Sequence, residues 1–167
     1  YIPTFSQVEY MVLPRMDALA EVQWTNAPKD FKAFLPRLVR MTELYDRLGY
    51  NYAKHIFDIR ASFATDGDKG EIVVTLETEG TADIHYTLDG SEPTATSPKY
   101  EASLRIKQNA EVKAVAVRPT GNSRIFSEKI DFNKATAKPV TLKVAPSRGY
   151  DFNGGPELTD GLSGNDN

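Results

Sequence analysis

Residues 84–94, with the sequence IHYTLDGSEPT, place a histidine, a tyrosine, two carboxylates and several hydroxyl groups in one short stretch. Asp89 and Glu92 are the kind of pair that glycoside hydrolysis requires, since two carboxyl groups flank the glycosidic bond that such enzymes break. The stretch also fits a strand that runs into a turn, because Asp89-Gly90 is a favoured turn dipeptide and Pro93 interrupts a hydrogen-bonded ladder. The turn is the preferred interpretation, so we expect a corner of the fold and no catalysis here.

His55 and His85 are the only histidines in the sequence, and the sequence contains no cysteine. Nucleophilic catalysis of the Ser-His-Asp type needs a histidine held beside a hydroxyl, and neither G-x-S-x-G nor a phosphate-binding glycine loop is present. We therefore expect both histidines to be surface or partly buried residues. The lack of cysteine excludes disulfides and thiolate zinc sites, but it does not fix the compartment.

Residues 66–71, DGDKGE, resemble the start of a calcium-binding loop. Such a loop needs an oxygen ligand at its fifth position, and Gly70 stands there. An exposed turn before a strand is the better interpretation. A further candidate is a set of aromatic residues that could stack on sugars or belong to the core of a small sandwich, and core packing is preferred. These residues are Tyr86, Tyr100, Phe126 and Phe132.

The composition of the 167 residues is that of a globular protein, with 20 basic and 23 acidic residues and a net charge of −3. No basic stripe indicates a nucleic-acid partner, and no apolar run approaches the roughly 20 residues of a membrane span. The sequence begins with Tyr1 and not with an initiator methionine. We therefore expect a fragment of a longer protein.

Residues 1 to about 57 have the composition of helices. Ser6 and Glu9 have the spacing of a capping box, and Pro14 predicts a kink or break near Leu13. A second helix is expected to start around 26–28 and to end at Gly49. The predicted apolar positions are Val8, Val12, Met16, Leu19 and Val22, and then Phe31, Phe34, Leu35, Leu38, Met41, Tyr45 and Leu48.

Short runs rich in Val, Ile, Thr, Tyr and Phe, each bounded by turn residues, follow from about residue 60 to residue 133. This pattern predicts a β-sandwich in which 112–117 form a central strand. The fold class expected is therefore α+β, with a helical segment followed by an all-β immunoglobulin- or fibronectin-like sandwich. The predicted strands are Glu71–Leu76, Ile84–Leu88, Leu104–Ile106, Glu111–Val117, Ile125–Phe132 and Val140–Val144.

Two motifs resemble a known family. Residues 14–24 have the form P-R-x-x-A-x-A-E-x-x-W, and with LGYNY at 48–52 they resemble the end of the catalytic barrel in family 20 glycoside hydrolases, the β-N-acetylhexosaminidases. Residues 84–94, followed by SPKY at 97–100, resemble the small β-sandwich appended to many bacterial members. The resemblance covers about residues 1–145, and the two motifs occur in the same order as in the family. Residues 150–167 are similar to the opening of a discoidin-like sugar-binding module.

This resemblance implies three regions: 1–57 as the helical end of a (β/α)8 barrel, 58–145 as the sandwich, and 146–167 as a linker or the start of the discoidin-like module. The family removes terminal N-acetylhexosamine with retention, using the substrate's acetamido group, a Glu and an Asp within H-x-G-G-D-E. That motif does not occur in this sequence. We therefore assign no catalytic, substrate-binding or metal-binding residue, expect no cofactor, and expect Trp24 to serve in packing.

The expected function is that of a non-catalytic, structural part of a β-N-acetylhexosaminidase, inactive as an isolated chain although the parent is an enzyme. Its partners would be the rest of the parent barrel and, through the parent, glycans that contain N-acetylhexosamine. The expected location is the periplasm or the exterior of the cell, in association with its surface. The alternative is a carbohydrate-binding module that acts through the sandwich or the tail.

Overall fold

The computed structural model describes residues 2–26, 28–144 and 158–162. Within these ranges the chain forms three α-helices, a short 3-10 helix and six strands. None of the described helices is long and apolar enough to cross a membrane. The helices are α1 (Phe5–Val12), α2 (Arg15–Trp24) and α3 (Phe31–Leu48), the 3-10 helix is Lys54–Phe57, and the strands are β1 (Arg60–Asp66), β2 (Glu71–Glu77), β3 (Asp83–Thr87), β4 (Leu104–Ile106), β5 (Ala110–Val117) and β6 (Phe126–Ile130).

The start of α1 differs from the predicted capping box. Thr4 is the N-cap, with an extended backbone and a side-chain oxygen that accepts a hydrogen bond from the Gln7 amide at 3.3 Å. Ser6 lies inside the helix, and the Glu9 carboxylate instead accepts from the amide of Asn51. The capping-box prediction is therefore wrong, because Thr4 supplies a suitable cap oxygen two residues earlier.

The remaining helix ends agree more closely with the sequence. The break predicted near Leu13 is confirmed, since α1 ends at Val12 and α2 begins at Arg15. The start predicted for α3 at 26–28 is wrong, because Asp30 caps the helix by accepting from the Ala33 amide at 3.1 Å. Gly49 ends α3 as predicted, with a φ of 74° that favours glycine.

The strands form two three-stranded antiparallel sheets, in the orders β1-β2-β4 and β3-β5-β6. The predicted α+β fold with a sandwich is therefore confirmed, and β5 is central in its sheet. Strand β1 was not predicted, and residues 140–144 do not form the predicted strand. One core joins the two sheets, and its fully buried members include Ile72, Val74, Val112, Ala114, Ala116 and Ile130.

Residues 158–162 return to the sandwich and contact the end of β6 and the segment that follows it. The Ala137 amide donates to the Thr159 carbonyl at 2.7 Å, and Leu162 forms a bridge to Ile130. Gly161 has a φ of 73°, and a Cβ there would lie 3.1 Å from Ile72. The two predicted domain boundaries stay predictions, and the proposed module at 146–167 lies otherwise outside the described residues.

Candidate functional site

The stretch that suggested paired carboxylates forms a tight turn after β3. Asp89 accepts hydrogen bonds from the amide and hydroxyl of Ser91 at 3.0 and 2.6 Å. These bonds hold the pKa of Asp89 below its ordinary value, whereas a general acid needs a raised pKa. Gly90 continues the turn with a φ of 79° and donates its amide to the Glu111 carbonyl. The geometry is that of the predicted corner.

The side chains around β3 are engaged with the sandwich itself. A ring nitrogen of His85 lies 2.7 Å from the Ser97 carbonyl oxygen. Tyr86 and Tyr100 meet edge to face at 6.5 Å, and the Tyr100 hydroxyl accepts from the Leu76 amide. All four aromatic residues proposed as core members, including Phe126 and Phe132, pack against the core, as predicted. Sugar stacking on these rings, the less favoured interpretation, stays a hypothesis.

The DGDKGE segment is the turn between β1 and β2. Asp66 accepts hydrogen bonds from the side chain and the backbone amide of Lys69, and these bonds lower the pKa of Asp66. Within the ranges that the structure describes, no group of three or more His, Asp or Glu residues is arranged to hold a metal ion. The arrangement stabilises the turn by bonds within the loop.

A more extended polar cluster joins the helical segment to the sandwich. The Tyr10 hydroxyl lies 2.7 Å from Nε2 of His55, and Nδ1 of the same ring lies 3.4 Å from the Asp58 carboxylate. Asp58 in turn accepts from Nε and Nη2 of Arg124 at 2.8 and 2.6 Å. The contacts thus run from α1 through the 3-10 helix to the loop that follows β5.

Sequence reasoning placed His55 correctly at the passage from helix to strand but missed this cluster. Tyr10 and His55 are 45 positions apart, and Asp58 and Arg124 are 66 apart. No local periodicity reports contacts of that range. Burial raises the pKa of the Asp58 carboxyl, but the hydrogen bonds from Arg124 outweigh that effect and leave it below its ordinary value.

The second candidate surface is the outer face of α2, which is inverted relative to an ordinary amphipathic helix. Its acidic residues are directed at α3: Asp17 accepts from the Tyr45 hydroxyl at 2.7 Å, and Glu21 pairs with Arg37. Its three largest aliphatic side chains are instead exposed, and they belong to Met16 (57%), Leu19 (55%) and Val22 (54%).

The predicted packing role of Trp24 is wrong: in the part of the chain that the structure describes, 86% of this residue is exposed. Trp24 is the last residue of α2 and borders a groove against α3, with Phe34, Leu38 and Met41 on the other side. Further exposed apolar side chains lie on the same segment. They are Ile2, Phe5, Met11, Phe31, Leu44 and Leu48.

This concentration of exposed apolar residues on the helical segment has a physical meaning. Single exposed apolar side chains are ordinary, but a contiguous patch on a soluble protein marks a surface that another structure covers. The α3 face illustrates the division: Phe34, Leu35 and Leu38 are buried as predicted, whereas Phe31, Met41 and Leu48 are exposed against expectation. The outer surface of the helices is therefore the candidate interaction site.

Residues 74–130, which include β3 to β6, match the protein family described as Fn3 associated. The chain as a whole is similar to the β-hexosaminidase of Porphyromonas gingivalis, at 32% identity over 164 residues. The predicted resemblance to the β-hexosaminidases is thereby confirmed. The match covers 90% of this chain and 21% of that protein, so the chain spans about a fifth of its relative's length.

Proposed function

We propose that this chain is a non-catalytic, accessory part of a glycoside hydrolase that removes terminal N-acetylhexosamine from glycans. In this proposal the exposed apolar face of α1 and α2 packs on the catalytic barrel of the parent enzyme. The similarity to a protein named β-hexosaminidase supports the choice of enzyme, and the fraction of that protein that is matched leaves ample length for a barrel elsewhere. The proposed location is the periplasm or the cell exterior.

The inversion of α2 is the observation that carries the proposal. Moving a side chain of the size of Met16, Leu19 or Val22 from water into an apolar contact stabilises a fold by roughly 1.5–3 kcal/mol. Placing all three outward while Asp17 and Glu21 point inward forgoes that contribution in this chain. A helix with this pattern is suited to a position between α3 on one side and an apolar surface on the other.

The contacts between the helical segment and the sandwich support a bracing role. Arg118, which follows β5, donates to the Phe57 carbonyl at 3.4 Å, and its guanidinium lies over the Phe57 ring. Lys54 donates to the Thr120 carbonyl at 3.1 Å. A barrel that rests on the helices would therefore be held in a fixed relation to the sandwich.

Hydrolysis of a chromogenic N-acetylglucosaminide tests the non-catalytic part of the proposal. The isolated chain is expected to give no turnover above a buffer control, while the longer protein that contains it hydrolyses the substrate. Turnover by the isolated chain that persists through repeated purification would contradict the proposal.

A matched pair of substitutions tests the docking surface. Val22→Asp and Val144→Asp make the same change at two exposed positions, one on the α2 face and one after β6. In the isolated chain, the free energy of unfolding of both variants is expected to lie within about 0.5 kcal/mol of that of the unsubstituted chain. In the longer protein, Val22→Asp buries an unpaired carboxylate and is expected to cost at least about 2 kcal/mol, while Val144→Asp stays neutral.

Thermal unfolding and hydrolytic activity of the longer protein provide the two readouts for this pair. A Val22→Asp protein that melts and turns over like the Val144→Asp protein would show that the α2 face is not covered. Loss of stability by Val22→Asp in the isolated chain would instead show that the exposed position of this side chain is wrong.

A further inference from the structure

A cavity of about 350 Å³ lies where the helical segment meets the sandwich, between the 3-10 helix and the loop at 118–124. This volume falls within the range of roughly 300–1,000 Å³ that is usual for small-molecule sites. Lys54, Arg118 and Arg124 line the cavity together with His55, and Asp58 is the only carboxylate among its lining residues. The cavity is therefore predominantly cationic.

The single carboxylate is already committed to one of these cations. Asp58 accepts from Nε and Nη2 of Arg124 and also faces His55. Lys54 is 3.5 Å from Asp46, which does not line the cavity, and otherwise donates to a backbone carbonyl. An excess of positive charge consequently remains on the walls.

Arg118 lacks a counter-ion at contact distance in the part of the chain that the structure describes. Its guanidinium lies 4.7 Å from the centre of the Phe57 ring and donates to neutral acceptors, namely Thr78 Oγ1 and two backbone carbonyls. Its Nε is buried and has no hydrogen-bond partner within the same described ranges. Buried polar atoms are nearly always satisfied, so an unpaired one calls for an explanation, and a bound water or ion is one such explanation.

Burial lowers the pKa of Arg118, which shows that its surroundings oppose the positive charge. A nearby anion would offset that effect. Arginine is well suited to such a ligand, because its planar fork matches the oxygens of a carboxylate or sulfate group. Asn51 and Asn122 also line the cavity; Nδ2 of Asn51 already donates to Ser6, which leaves its side-chain oxygen and the Asn122 amide to hydrogen-bond to hydroxyl groups.

We propose that this junction cavity binds a small ligand through one oxyanion group, either the carboxylate of an acidic sugar or a free inorganic anion. The proposal rests on the cavity and its charges, and it is independent of the docking role of the α2 face. The cations anchor the oxyanion, and the amide side chains meet the hydroxyl groups of a sugar where one is attached.

Nuclear magnetic resonance titration of the full chain at constant ionic strength tests the site. Sodium glucuronate, sodium sulfate and glucose are the three probes, with sodium chloride as the balancing salt. Glucuronate and sulfate are expected to shift the backbone amide signals of residues 118 and 120–124 saturably. Glucose, which has the same ring without the carboxylate, is expected to cause no such shift. Tighter binding of glucuronate than of sulfate identifies an acidic sugar as the ligand, and the reverse order identifies an inorganic anion.

Two variants and a control locate the binding. Lys54→Gln and Arg118→Gln are each expected to weaken binding of the anions about tenfold, the size expected for one charge-assisted hydrogen bond. Lys32→Gln removes the same charge from an exposed position outside the cavity and is expected to leave binding unchanged. Lys54 is itself exposed, so its variant remains informative if Arg118→Gln fails to fold.

Several results would overturn the proposal. Shifts that rise linearly without saturation, equal shifts with glucose, or no shifts with either anion would each show that no oxyanion site exists. Unchanged affinity in a folded Lys54→Gln variant together with unchanged affinity or misfolding of Arg118→Gln would do the same.

Discussion

The sandwich and the helical segment distribute similar residues in opposite ways. In the sandwich, Ile72, Val74 and Val112 are fully buried between two sheets. In the helical segment, aliphatic residues of α2 are exposed, and the carboxylate of Asp17 makes the contact with α3. The sandwich thus contains its own core, whereas the apolar stripe of α2 is exposed and, in the proposed role, packs on a surface outside this chain. An apolar stripe indicates that a helix face suits a covered position, but it does not identify the covering surface.

The first prediction compares the same truncation in both regions. Leu76 is buried in β2 and Leu19 is half exposed on α2. Leu76→Ala is expected to lower the free energy of unfolding by about 2–5 kcal/mol, because it removes buried methyl groups and leaves a cavity. Leu19→Ala is expected to change it by no more than about 0.5 kcal/mol in the isolated chain.

Urea unfolding of the isolated chain, followed by circular dichroism, measures both leucine variants. Equal losses of stability for the two would contradict the contrast between a self-contained sandwich and an open helical face. In the longer protein the contrast should shrink, because Leu19 would then be covered.

The second prediction concerns the turn after β3. Gly90 has a φ of 79°, and a Cβ there would lie 2.6 Å from Oε2 of Glu111. Gly90→Val is expected to destabilise the sandwich by about 1–3 kcal/mol, since a β-branched residue is strained in that conformation. Gly90→Asn should cost less, because asparagine tolerates positive φ. An unchanged melting temperature for the valine variant would count against the turn.

The third prediction asks whether polar contacts hold the helices together. Tyr45 is buried, and its hydroxyl donates to both oxygens of Asp17 at 2.7 and 2.8 Å. Tyr45→Phe is expected to cost about 2 kcal/mol, as hydrogen bonds to charged groups contribute roughly 1.5–3 kcal/mol. Tyr10→Phe removes an exposed hydroxyl and should cost less than 1 kcal/mol.

Chemical denaturation measured on the two tyrosine variants separates these effects. Burial, and after it the bond to Asp17, raises the pKa of Tyr45, so this hydroxyl should stay protonated beyond the range in which an exposed tyrosine titrates. A Tyr45→Phe chain as stable as the parent sequence would mean that α2 and α3 are held by other contacts.

The sandwich was largely predictable because its strands are short, apolar and separated by turn residues. Leu104–Ile106 was predicted to the residue, and the apolar residues of β5 on both faces correctly indicated a central strand. Strand β1 was missed because Ala and Ser occupy much of it and only alternate side chains face the core. Residues 140–144 have strand-like composition but pair with no neighbouring strand in the described ranges.

The candidate sites were less predictable than the elements that carry them. Helical periodicity placed Met16, Leu19 and Val22 on one apolar face. The same pattern fits a face that packs on the chain's own core and a face that packs on a partner. The polar cluster of Tyr10, His55, Asp58 and Arg124 depends on two contacts. One joins residues that are 45 positions apart and the other joins residues that are 66 apart, and only the assembled fold brings them together. The family resemblance, by contrast, depended on local motifs and was accessible from the sequence alone.

The smallest expected effect concerns the boundary between the two regions. Asp58, directly after the 3-10 helix, holds Arg124 in the loop that follows β5, and Asp58→Asn is expected to cost about 1 kcal/mol at pH 7 because the ion pair is partly exposed. The pKa of Asp58 is below its ordinary value of 3.8 in the folded chain, so its contribution is present above that value and is lost as the pH falls through the folded-state pKa.

The difference in unfolding free energy between the parent chain and Asp58→Asn should therefore be constant at neutral pH and should narrow below about pH 4. Urea unfolding at a series of pH values measures this difference. Asp68→Asn, at an exposed position in the β1–β2 turn, provides the control and should differ little from the parent. A gap between Asp58→Asn and the parent that widens in acid would mean that Asp58 is not held by Arg124.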